Sequence, residues 1–147
     1  MKYIVLVDID GTIAEVHPER LEMIKGENKD WDAFYKACHM DKPIKDVISI
    51  IDDLVVAGNS IVLCTGRSEI CRVETMKWLS DNDIEYSQLL MRKEGDFRHD
   101  IEVKPELLHK NMISKEDILM VFEDRNSMVE KWRELGLTVA QVAKGDF

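Results

Sequence analysis

The sequence predicts an α/β fold, a doubly wound parallel sheet of Rossmann-like type, from three observations. Short apolar runs of strand length recur along the chain and alternate with stretches of helical periodicity, the pattern of a parallel sheet covered by helices on both faces. The first run, Tyr3-Ile4-Val5-Leu6-Val7, ends directly in Asp8-Ile9-Asp10-Gly11-Thr12. Later runs end in Thr65-Gly66-Arg67-Ser68 and in Glu123-Asp124-Arg125. Polar residues thus gather where strands finish, the edge at which open α/β sheets hold their ligands.

The first strand is expected over Lys2 to Val7. Alternate residues of a strand share a face, so Asp8 and Asp10 point into one crevice where the strand frays, and Gly11 permits the tight exit. Ala14 to Lys42 interrupts the rhythm, and a segment of that length forms only a loop with a helix or two. A helix follows over Ile44 to Val56, with Pro43 near its first turn and Gly58-Asn59 as its stop. The second strand, Ser60 to Cys64, turns at Thr65-Gly66 into a helix over Glu69 to Asp81. The third strand spans Tyr86 to Met91, and a helical stretch opens near Lys104-Pro105. The fourth strand, Ile118 to Phe122, precedes a helix from Met128 to Leu135 that Gly136 closes. A fifth strand covers Thr138 to Val142.

A chain of 147 residues with 45% hydrophobic content suits one domain, over 1–147, with its own core. Its net charge of −9 excludes broad adhesion to nucleic acid, which needs many Lys and Arg to displace counterions. Any polynucleotide contact is expected to be local, at a strand end. Cys38, Cys64 and Cys71 make an odd count with no leader-like segment, which predicts reduced thiols and a cytoplasmic location. None has an arginine six positions on, so the cysteine phosphatase signature is excluded. His17, His39, His99 and His109 have no metal-ligand spacing. No apolar run approaches the roughly 20 residues of a membrane helix.

The strand ends carry the chemistry. Two close carboxylates repel, and a divalent cation can hold one ionised while the other keeps a proton, as a nucleophile and general acid require. Asp8 to Gly11 also reads as an ordinary polar turn. The Thr65 hydroxyl and the Gly66 amide at a helix start make an anion site, although Thr-Gly is equally a plain turn. Lys104 at a helix start offers an ammonium to a phosphoryl group, or is a solvated lysine. Glu123-Asp124 offers metal ligands, or caps the next helix.

Acid pair, hydroxyl, lysine and second acid pair follow the order found in the haloacid dehalogenase superfamily of phosphohydrolases, which the chain resembles. The segments Gly95 to Asp100, Glu123-Asp124-Arg125, Val129 to Arg133 and Gln141 to Phe147 narrow the likeness. From Asp8 to Phe147 the chain is similar to the 3'-phosphatase domain family of bacteriophage polynucleotide kinase-phosphatase. No Gly-x-x-x-x-Gly-Lys-Ser/Thr phosphate loop occurs within the sequence, so the resemblance is to the phosphatase half alone.

That resemblance implies a Mg2+-dependent phosphatase acting on the 3'-phosphate of polynucleotide or nucleotide ends. Asp8 would be the nucleophile that forms an aspartyl-phosphate, and Asp10 the acid that protonates the leaving oxygen and later activates water. An acid at position 10 favours phosphate esters over C–Cl bonds, because halide leaves without a proton. Thr65, Gly66, Arg67 and Lys104 would bind the phosphoryl group, and Asp100 would orient Lys104 or an arginine. Asp8, the backbone carbonyl of Asp10, and Asp124 would hold Mg2+, with Glu123 reaching it only through water. Arg20, displaced by one residue, is the nearest candidate for a further family arginine.

Residues 14–42 take the place of a cap, a minimal one, which predicts a shallow, open site suited to the end of a polymer. Trp31, Phe34 and Tyr35 share helical spacing and read first as a core face, with base stacking as the other reading. Trp78 and Trp132 read as core. Arg92, Lys93 and Arg98 make a locally basic loop, either a phosphodiester track or a solvated surface. A small-molecule nucleotidase and an inactive module that binds phosphorylated ends are the rival functions. A homo-oligomer and a separate kinase or ligase are the partners the family suggests.

Overall fold

The structure, a computed structural model, describes residues 2–147. Its sheet is built from β1 (Ile4–Val7), β4 (Ser60–Ser68), β5 (Gln88–Arg92), β6 (Ile118–Glu123) and β7 (Val139–Gln141). All pair in parallel, in the order β5-β4-β1-β6-β7. The acid-bearing β1 is central, so its carboxyl end is flanked by the ends of β4 and β6.

Strand alternation sorts the core into two halves. Val5, Val7, Ile61, Leu63, Leu89 and Met91 face one side and pack with α3 (Lys45–Val56) and α4 (Arg72–Asp81) through Ile48, Ile51, Trp78 and Leu79. Leu6, Val62, Cys64, Leu90 and Val121 face the other and pack with α5 (Asp100–Lys110) and α6 (Asn126–Glu134) through Leu108, Met128, Val129 and Trp132. Near-continuous apolar strands are what a parallel sheet covered on both faces requires. The doubly wound α/β class read from the sequence is therefore the observed one, and Trp78 and Trp132 are core.

The insertion after β1 is closed at its base by a small antiparallel pair, β2 (Ala14–Glu15) with β3 (Lys42–Pro43). Between them lie α1 (Pro18–Glu22) and α2 (Trp31–Lys36), the latter capped by Asp30, whose carboxylate accepts the Ala33 amide at 3.0 Å. Two expected boundaries move. β4 continues through Thr65-Gly66-Arg67 to Ser68 instead of turning at Thr65, with an irregular register against β5 between Thr65 and Ser68. Helix α5 starts at Asp100, because the His99 ring accepts the Ile101 amide at 3.2 Å and caps it early. Pro105 consequently lies inside the helix, and Lys104 faces inward.

Candidate active site

At the carboxyl end of the sheet, Asp8, Glu123 and Asp124 bring three buried carboxylates together, with one oxygen of each lying within 4.8 Å of the others. Lys104 reaches across from α5 and donates to Asp8 Oδ1 and to Glu123 Oε2, both at 2.9 Å. Thr12 donates its hydroxyl to Asp124 Oδ1 at 3.2 Å. Three carboxylates against one ammonium leave two excess negative charges in a dry place. Burial, then Glu123 beside it, pushes the Asp8 carboxyl well above the ordinary range, although Lys104 opposes. Burial and the neighbouring Asp8 raise Asp124 to about 7. A divalent cation is the species this donor set fits, since hard oxygens and a double charge deficit are what Mg2+ satisfies.

The backbone was shaped to allow it. Gly11 has φ +84°, and a Cβ there would sit 2.1 Å from Asp124 Oδ2. A Cβ on Gly145 would lie 2.0 Å from the Asp124 carbonyl oxygen. Gln141 Nε2 donates to that same carbonyl at 2.9 Å, pinning the loop that carries Asp124.

Asp10 occupies a different electrostatic setting. Arg67 donates Nε to Asp10 Oδ2 at 3.0 Å and Nη2 to Oδ1 at 2.6 Å, and Arg20 Nη1 approaches Oδ1 at 3.5 Å. Both arginines are wholly buried, whereas the Asp10 side chain is a quarter exposed. Burial raises the Asp10 carboxyl, but Arg67, aided by Arg20, outweighs it and holds Asp10 below its ordinary value. The two carboxyls are thus pushed in opposite directions, Asp8 up and Asp10 down, because the positive charge beside Asp10 comes from the protein itself.

Arg67 is expected from the sequence to face a phosphate; here its guanidinium is committed to Asp10, to Thr75 Oγ1 at 3.1 Å and to Asp41. Asp41, fully buried, also accepts from Arg20 and from the His17 amide. Nothing in the sequence marks Asp41 or Thr75, because each matters only through arginines that folding brings to it.

Thr65 is buried, and its Oγ1 accepts the Arg67 amide at 3.1 Å, which leaves the hydroxyl proton free to donate. Asp100 does not orient Lys104 by contact. Instead it accepts from Arg92 Nη2 at 2.5 Å and from Arg125 Nη1 at 3.4 Å. Gly66 lies against it so closely that a Cβ would fall 2.6 Å from Asp100 Oδ1. In the basic loop Lys93 and Arg98 are exposed. Arg92 turns inward to the carbonyls of Gly66, Asp96 and Arg98, while Arg98 is paired with Asp96 and Glu106.

Asp8, Asp10, Thr65, Gly66, Arg67, Asp100 and Asp124 all line one cavity of about 990 Å³, with Lys104 just behind Asp8. The site expected to be shallow and open takes the form of a cleft. The small cap walls one side with Val16, Leu21, Trp31, Phe34 and Tyr35. The aromatic stripe is therefore more than a core face: Phe34 is buried, but Trp31 stands exposed to the cleft.

A family model described as the polynucleotide kinase PNKP phosphatase domain matches residues 2–147. The chain belongs to this family. Within the PNKP phosphatase-domain family, it is 29% identical over 143 residues to a relative from Autographa californica nuclear polyhedrosis virus named "Putative bifunctional polynucleotide kinase/RNA ligase", covering 95% of this chain and 19% of that protein. It superposes on a chain of the Pnkp1/Rnl/Hen1 complex with a TM-score of 0.85 and 28% identity, over 99% of this chain and 48% of that one. A haloacid dehalogenase-like hydrolase from Streptococcus pneumoniae shares the fold at a TM-score of 0.64 and 10% identity, over 95% of this chain and 84% of that one. The chain thus spans about a fifth and about half of its two nearer relatives. The PNKP phosphatase membership makes it a phosphohydrolase-type domain, as its sequence motifs implied.

Proposed function

We propose that this domain is a Mg2+-dependent phosphomonoesterase that removes the 3'-phosphate from polynucleotide ends through an aspartyl-phosphate on Asp8. The observation that carries the reading is the cluster of Asp8, Glu123 and Asp124 around Lys104, opening into a cleft large enough for a strand end. Family membership supports the phosphatase class, and the likeness to Pnkp1 supports a nucleic-acid substrate.

Phosphomonoester cleavage is limited by charge, so most of the catalysis is neutralisation and positioning. An Asp8 carboxylate oxygen attacks phosphorus while the bond to the 3'-oxygen breaks, and Asp10 delivers a proton to that leaving oxygen. In the second half, Asp10 takes a proton from water as the water oxygen attacks phosphorus and the Asp8–phosphorus bond breaks. The Thr65 hydroxyl and the Gly66 amide bind phosphoryl oxygens, and Lys104 holds Asp8 in place. Asp8, the Asp10 carbonyl and Asp124 would hold Mg2+, which supplies charge neutralisation for the transferring group. Asp10 must be protonated for the first half although the Arg67 fork favours its ionised form. An arriving phosphoryl group competes for Arg67, and the release of that fork lets Asp10 take up its proton.

A kinase and a ligase, on this or separate chains, are the proposed partners, since the relatives are a kinase/ligase and a member of an assembly with Rnl and Hen1. A single domain over 1–147, a homo-oligomer and a cytoplasmic setting belong to the same proposal. The test is phosphate release with Mg2+ from matched 3'-phosphate and 5'-phosphate oligonucleotides and the corresponding mononucleotides, with Asp8→Asn as the blank. Preference for the 3'-phosphate oligomer is the expected result. Equal or better turnover of mononucleotides would make the domain a general nucleotidase instead.

A further inference from the structure

We infer that the apolar half of the cleft is a stacking subsite for the terminal nucleobase, with Trp31 as its platform and Phe97 as the facing wall. The inference rests on the proposed 3'-phosphatase reading and adds to it how the end is gripped.

The cleft has two kinds of lining: carboxylates with Thr65 and Gly66, and cap side chains with aromatic rings from two separate loops. Of the large exposed aromatics among the described residues, Trp31, Phe97 and Phe147 all line this one cavity, and only Tyr3 lies elsewhere. Trp31 is 37% exposed, against 4% for Trp78 and 1% for Trp132, so it is not held as core tryptophans are. Phe97 is 83% exposed at the tip of the loop before α5, where nothing structural requires an aromatic ring.

The rings beneath Trp31 are already occupied. The Arg20 guanidinium lies over Phe34 at 4.2 Å, and Trp31 meets Phe34 edge-on at 5.6 Å and Tyr35 at 6.0 Å. This fixes the orientation of the indole before any ligand arrives. Phe147 is likewise taken up by Arg125, 5.4 Å from its centroid. Trp31 and Phe97 are the rings left to receive a flat partner. A ligand with a phosphoryl group at one end and a flat, uncharged aromatic at the other matches this division, and a nucleoside 3'-phosphate terminus has that form. Arg20, Arg67 and Lys104 are buried and committed to carboxylates, and stacking is a sequence-tolerant grip open to an acidic protein.

The test compares two substrates: an oligonucleotide ending in a 3'-phosphate, and the same strand with an abasic terminal sugar bearing the 3'-phosphate. Stacking contributes on the order of 1–3 kcal/mol per base, which corresponds to a loss of about 5- to 150-fold in kcat/KM. Trp31→Ala and Phe97→Ala are expected to lose that much on the base-bearing end, chiefly through KM, and less than about twofold on the abasic end. Trp31→Phe keeps a ring on the cluster and is expected to recover most of the loss. Equal losses on both ends, or a wild-type enzyme indifferent to the base, would overturn the subsite while leaving the 3'-phosphatase reading in place. A wild-type enzyme with no turnover of either 3'-phosphate end would overturn both.

Discussion

Arg67 holds Asp10 in a two-point fork, through 3.0 Å and 2.6 Å contacts to its two carboxylate oxygens, from a position fully removed from solvent. The guanidinium fork matches a carboxylate as it matches a phosphate, so the residue that holds the Asp10 carboxyl down has the geometry the proposed phosphoryl exchange requires. A lysine has the charge without the fork. Arg67→Lys is expected to lower kcat by about 10²-fold, the low end of what a misplaced general acid costs. Because the fork holds the Asp10 carboxyl down and Asp10 must be protonated to act as the acid, its loss should also move the alkaline limb of the kcat–pH profile upward. A profile measured from pH 4 to 8 checks both.

Asp8→Asn should abolish phosphate release, with a loss above about 10³-fold, because an amide oxygen cannot form the proposed aspartyl-phosphate. Folding should survive. The amide oxygen can still accept from Lys104, and the native carboxyl is already pushed toward its neutral form by burial and Glu123. Circular dichroism and a melting temperature within a few degrees of wild type are the expected controls.

Metal-free stability should depend on pH in an unusual direction. Asp124 rises to about 7 in the folded chain from an ordinary value of 3.8, so the folded state holds this proton more tightly than the unfolded state does. Its contribution is therefore full below about pH 4 and is lost as pH climbs through 7. Asp8, also raised, acts in the same sense. In EDTA the melting temperature should fall between pH 5 and 8, and Mg2+ should raise it more at pH 8 than at pH 5. Thermal melts at the two pH values, with and without the ion, measure this directly.

Gly11→Ala should weaken metal binding by displacing Asp124. The new Cβ would lie 2.1 Å from Asp124 Oδ2, and the backbone at φ +84° is strained for any residue with a side chain. About 1–2 kcal/mol of lost stability is expected from the backbone alone. A rise of about tenfold in the Mg2+ concentration giving half-maximal activity corresponds to 1.4 kcal/mol at the site. A Mg2+ titration of phosphatase activity reads it.

The sequence by itself determined the scaffold and the candidate site groups: five apolar runs, Asp8, Asp10, Thr65 and Asp124 at or near their ends, and Lys104 in the first half of α5. These were legible because strand burial leaves a continuous apolar signature and because each reactive group sits within a few residues of a strand end or helix start, where local pattern and function coincide. Which group pairs with which was decided only by the tertiary structure. Asp41 and Thr75 carry no local signal, yet they complete the network around Arg67. Arg92 reads as surface charge until the loop folds over it and its guanidinium turns to Asp100. Trp31 has the spacing of a core residue, and only the closure of the cap by β2 and β3 leaves it facing the cleft. The opposite pushes on the Asp8 and Asp10 carboxyls are tertiary for the same reason. A carboxyl's charge state follows from burial and from charges many positions away in sequence, and those distances exist only once the chain has folded.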